Sequence, residues 1–189
     1  MSATEIKFGG FGGQGVILAG IIIGRAASIY SNKFATLTQS FGPEARGSAC
    51  SAQVIISDSK ILYPYVTKPE ILLVMSQEAC NKFLPETTDN ATVIIEEDLV
   101  KPKALSPGMK VFSIPATRLA EELGRKMILN IVMAGFFTAV TKLIEYEAVR
   151  EAVKASVPHG TEGMNLKAYD RGYQYGIAYL ENQSPASIR

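Results

Sequence analysis

The chain has 189 residues, of which 47% are hydrophobic and 20% charged. That is enough apolar material for one buried core and too little charge for a disordered chain. Nineteen basic against eighteen acidic residues leave a formal charge of +1, so no global field draws the protein to nucleic acid or to an anionic membrane.

In chain order, residues 1–10 carry a glutamate and turn into glycine without a long apolar run, unlike a secretory signal, and a cytoplasmic protein is expected. Residues 5–8 predict a strand, 9–15 a turn, and 16–30 a helix. A second strand is predicted over 35–39, a loop rich in glycine, proline and small residues over 41–48, and a third strand over 51–57. Further strands fall at 71–76, 92–96 and 111–114, each a continuous apolar or β-branched run suited to a sheet covered on both faces. A helix is predicted over 77–84 and a solvated connection over 100–108. From there the pattern is helical: 117–123, 126–144, 146–156 and 165–180.

Together these elements predict a layered α/β/α domain with a mostly parallel or mixed central sheet and C-terminal helices. It occupies residues 1–182, with a polar tail over 183–189. The two most apolar stretches, 16–24 and 127–140, are shorter than the roughly 20 residues that span a bilayer. Both are expected to be buried helices, with no membrane insertion. Gly20 and Gly24, four apart on the first helix, suit close packing against the chain's own sheet or against another subunit.

Two cysteines, Cys50 and Cys80, and one histidine, His159, offer no metal-ligand spacing and too few thiolates for a four-cysteine iron–sulfur cluster. No metal site is expected here. The cysteines suit reduced, partly buried thiols, and His159, between Pro158 and Gly160, suits a loop.

The chemistry-bearing feature is the run Gly10-Phe11-Gly12-Gly13-Gln14-Gly15, which fits G-x-G-x-x-G in its meaningful context, between a strand and a helix. Glycines leave no Cβ in the way, so a ligand can approach free backbone N–H groups at the positive end of a helix. Phosphate, or another ligand that seeks the backbone, is the expected guest. A dinucleotide site also wants an acidic residue about 20 positions on to hold the ribose. No aspartate or glutamate lies between Ile6 and Pro43, which argues against NAD. The lysine-bearing phosphate loop of nucleoside triphosphatases is absent too. No catalytic proton-transfer set is evident.

Phe11-Gly12-Gly13-Gln14-Gly15-Val16, then Phe41-Gly42-Pro43-Glu44-Ala45-Arg46-Gly47, then Ile56-Ser57-Asp58, resemble the gamma subunit of 2-oxoacid:ferredoxin oxidoreductases, most of all the 2-oxoglutarate type. The related beta subunit of indolepyruvate oxidoreductase shares the first motif but usually differs at the second. The resemblance implies a heteromultimer with alpha, beta and ferredoxin-like subunits. Those partners would carry thiamine diphosphate, magnesium and iron–sulfur clusters, while this chain contributes coenzyme A binding. Gly10, Gly12, Gly13, Gln14 and Gly15 are the implied binding residues, with the Gln14 amide adding a hydrogen bond and Arg46 reaching a phosphate or a partner's carboxylate. Arg46 and Glu44 also suit a solvent-exposed pair. Asn130, in an apolar helix, requires a hydrogen-bond partner if buried. A free-standing module that binds coenzyme A or a nucleotide is the competing class.

Overall fold

The computed structural model describes residues 3–40 and 49–182. Its strands are β1 (Thr4–Phe11), β2 (Phe34–Ser40), β3 (Ala49–Ser57), β4 (Ile71–Val74), β5 (Thr92–Glu96) and β6 (Lys110–Ile114). Its helices are α1 (Val16–Arg25), α2 (Gln77–Phe83), α3 (Ala116–Glu122), α4 (Leu129–Thr141), α5 (Tyr146–Ser156) and α6 (Glu162–Asn182). The strands form one six-stranded sheet in the order β2-β3-β1-β4-β5-β6. β1, β4, β5 and β6 pair in parallel, and β3 runs against both of its neighbours. The sheet is therefore mixed, with β3 alone reversed.

Alternation along β1 separates two unequal cores. Ile6 and Phe8 face α1 and the C-terminal helices, joined there by Ala52, Val54, Leu73 and Ile94. On the opposite face Leu72, Val74, Val93 and Ile95 pack against Ala79, Cys80 and Phe83 of α2. Cys50 and Cys80 are buried and unpaired, and burial pushes both thiol pKa values up.

The two apolar stretches lie in α1 and α4. Every residue from Leu129 to Ala139 is buried, because α4 is wrapped by other helices and meets the sheet where the Phe8 and Phe137 rings stand 5.8 Å apart. α4 and α6 cross at near backbone contact: a Cβ at Gly172 would fall 2.0 Å from the Val132 carbonyl oxygen. Gly20 brings α1 down on β3, since a Cβ there would lie 2.6 Å from Ala52 Cβ. The small-residue face of that helix thus serves the chain's own sheet. Among the described residues no helix is long and apolar enough to cross a membrane.

Some boundaries differ from the sequence expectation. Gly9, Gly10 and Phe11 continue β1 and pair with Ser51, Cys50 and Ala49; the turn proper starts at Gly12. The missing side chain at Gly9 makes room for α2, since a Cβ there would lie 2.7 Å from the Phe83 ring. The helix expected over 16–30 is α1 followed by one wider turn, Ala26–Tyr30. The helix expected over 126–144 opens with a tight turn, Lys126–Ile128, and stops where Lys142 adopts φ 52°.

Candidate functional site

β1 and β4 are parallel neighbours whose following helices leave on opposite faces of the sheet, α1 on one and α2 on the other. Such a divergence opens a crevice at the strands' C-terminal ends, where ligands of open α/β sheets bind. The glycine turn sits there.

Gly12 and Gly13 are exposed, and an added Cβ at either would meet nothing within 4 Å. Gly13 has φ 95° and Gly15 φ 72°, left-handed values that favour glycine. Gly15 precedes α1, whose first turn has no acidic residue and no side-chain cap, so the positive end of the helix is left uncompensated. Gly10 lies within β1, behind the turn, where a Cβ would meet Gln14 Oε1 at 2.7 Å and Val16 at 2.8 Å.

The Gln14 side chain braces the turn. Its Oε1 accepts the Phe11 amide at 2.7 Å, and its Nε2 donates to the Met75 carbonyl at 2.8 Å. One Nε2 hydrogen is left over by that arrangement. Asn130, at the start of α4, is 3% exposed and donates to the Gly15 carbonyl at 3.2 Å. This is the partner its burial demands.

A cavity of about 360 Å³ opens between the turn and the helical layer, bounded by Gly13, Gly15, Leu18, Arg125, Asn130 and Met164. Arg125 is exposed on its rim, and its guanidinium makes no ion pair among the described residues. Arg125 was not singled out in the sequence. It belongs to the short link between α3 and α4, and only the packing of α4 beside α1 brings it to the turn. Another hollow, of about 380 Å³, is lined by Cys80, Thr87, Asp89 and Lys103. It lies where β5 and β6 begin, at the other end of the sheet from the turn.

Arg46 and Glu44 fall outside the described residues. The residues on either side are placed: Ser40 pairs with Ser51 and Ala49 with Phe11, at the same end of the sheet as the turn. His159 is fully exposed between α5 and α6, 3.0 Å from the Glu162 carboxylate. Backbone amides, together with His159, hold that carboxyl below its usual range. Among the described residues no group of three or more His, Cys, Asp or Glu side chains could hold a metal ion.

A mixed six-stranded sheet with helices on both faces and an open glycine turn where its strand connections diverge defines a layered α/β domain. Within that class the chain belongs to the pyruvate ferredoxin/flavodoxin oxidoreductase family, whose model matches residues 5–175. It is 46% identical over 172 residues to the 2-oxoglutarate synthase subunit KorC of Methanocaldococcus jannaschii, covering 90% of this chain and 92% of that one. The gamma subunit of a keto/oxoacid ferredoxin oxidoreductase from Geobacter sulfurreducens superposes with a TM-score of 0.85 at 35% identity, over 94% of this chain and 98% of that one. The fold recurs in a 2-oxoglutarate:ferredoxin oxidoreductase from Magnetococcus marinus, with a TM-score of 0.84 at 19% identity over 94% of this chain and 32% of that one.

Proposed function

We propose that this chain is the gamma subunit of a multi-subunit 2-oxoglutarate:ferredoxin oxidoreductase and that its glycine turn binds coenzyme A. The observation that carries the ligand assignment is the open space at Gly12 and Gly13 in front of an uncapped helix. A pantetheine amide or a phosphate can reach the backbone there with no side chain between. The substrate assignment rests on the high identity to a 2-oxoglutarate synthase subunit over nearly the whole chain.

In this reading the assembled enzyme decarboxylates 2-oxoglutarate, passes two electrons to ferredoxin and gives the succinyl group to the thiol of coenzyme A. Thiamine diphosphate with its magnesium, and the iron–sulfur clusters, belong to the alpha, beta and ferredoxin-like partners and supply the carbanion and electron chemistry. This chain contributes binding and orientation. Gly12, Gly13 and Gly15 present backbone amides, Gln14 braces them with one amide hydrogen left for the ligand, and Arg125 offers a cation at the rim for phosphate. Arg46, in the segment 41–48 whose flanking residues Ser40 and Ala49 lie at the same end of the sheet, is a second candidate phosphate contact. In this reading the isolated subunit is inactive; among the described residues no carboxylate, imidazole or thiol lines the cavity beside the turn. Its two reduced thiols fit the cytoplasm.

Replacing Gly13 with valine in the assembled enzyme tests the ligand assignment. The Michaelis constant for coenzyme A should rise about tenfold or more, the equivalent of losing a charge-assisted hydrogen bond, while that for 2-oxoglutarate stays unchanged. Unaltered coenzyme A kinetics would refute it.

A further inference from the structure

Two donors converge on one carbonyl. The Gly15 oxygen, first acceptor of α1, takes the Ala19 amide at 3.0 Å and Asn130 Nδ2 at 3.2 Å. The second donor comes from 115 positions away, on a helix whose neighbouring residues are all buried and apolar. A leucine would fill that place without the desolvation penalty that a carboxamide incurs. The fit is close: a Cβ on Gly15 would fall 2.4 Å from Asn130 Nδ2.

A trans peptide is planar, with its C=O and N–H opposed. Holding the Gly15 oxygen toward α4 and the body of α1 therefore turns the Val16 N–H the other way, out of the helix end and toward the crevice. The amides of Gly15, Val16 and Ile17 have no acceptor among the described residues.

We propose that Asn130 is a positioning residue for the glycine turn, fixing the direction in which these free amides meet the ligand. The proposal rests on the reading that coenzyme A binds at the turn. Gln14 braces the turn from the β4 side and Asn130 from the helical layer, so the two carboxamides clamp it between them.

The test uses the assembled enzyme with Asn130→Ala and the isosteric Asn130→Asp, which keeps the packing but sets a carboxylate against the Gly15 oxygen. The Michaelis constant for coenzyme A should rise about five- to tenfold on loss of the hydrogen bond. The turnover number at saturating coenzyme A and the Michaelis constant for 2-oxoglutarate should hold. Amide hydrogen exchange at Gln14 and Ala19, which donate to the Phe11 and Gly15 carbonyls, should quicken while α4 and α6 keep their protection. A merely structural role would loosen α4 and α6 and leave the two Michaelis constants unsplit, which overturns the proposal. It is equally overturned if coenzyme A kinetics stay normal in both Asn130 variants while Gly13→Val disturbs them. If Gly13→Val has no effect either, the ligand assignment is what fails. The positioning role, which is defined toward that ligand, then falls with it. Should Asn130→Ala fail to assemble, Asn130→Asp carries the comparison.

Discussion

The side-chain amide of Gln14 donates to the carbonyl of Met75 at 2.8 Å, tying the turn that follows β1 to the end of the neighbouring parallel strand 61 residues later. The same side chain accepts the Phe11 amide. Gln14→Leu removes both bonds and leaves two backbone groups unpaired in a part-buried place. It should lower stability by about 2 kcal/mol, measured by urea denaturation. Full retention of stability would mean that water replaces the amide at no penalty.

The glycines of the motif should respond differently to the same change. Gly12 has open space and no left-handed φ, so Gly12→Ala should shift stability by less than about 0.5 kcal/mol. Gly15→Ala meets the Asn130 amide and a φ of 72°, and should be destabilised by about 1–3 kcal/mol. Comparing the two denaturation midpoints checks this.

Lys7 projects from β1 beneath α2, pairs with Glu86, and sits 4.5 Å above the Phe83 ring. Its side chain is 9% exposed and that of Glu86 44%. Glu86→Ala strands a buried ammonium group and should cost about 1–3 kcal/mol, less than for a fully buried pair. Lys7→Met removes the charge while keeping the stem volume, and should stay within about 1 kcal/mol of the parent. The inequality between the two variants in thermal unfolding is the test.

The Tyr146 hydroxyl donates to Asp170 at 2.5 Å. Burial, then this bond, pushes its pKa up to about 12. The folded phenol holds its proton where the unfolded one, near 10, has lost it. Its contribution is therefore complete below pH 10 and is lost as pH rises toward 12. Tyr146→Phe should be less stable by about 1 kcal/mol at neutral pH and should lose stability less steeply between pH 10 and 12. Parallel slopes for the two proteins would contradict this.

The parts of the fold that depend on local pattern were legible in the sequence. β5 and α5 occupy the expected residues because a short β-branched run between turns and a strong helical periodicity each admit one answer. Gly9 and Gly10 were not, because whether a glycine extends a strand or turns depends here on pairing with Ser51 and Cys50 of the distant β3. The strand–turn–helix setting of Gly12, Gly13 and Gly15 was visible. The second donor on Gly15 was not, since its partner lies 115 residues away. Arg125 carries no local signal at all, and the α4 packing alone brings it to the cavity.

The most direct test of the account is anaerobic purification of the tagged chain from its native cells, with an assay of 2-oxoglutarate- and coenzyme A-dependent dye reduction by whatever co-elutes. The account predicts stable partner subunits containing thiamine diphosphate and iron–sulfur clusters, and activity that requires both substrates. A chain that elutes alone and inactive, under conditions that preserve oxygen-sensitive complexes, would contradict it and favour a free-standing binding module.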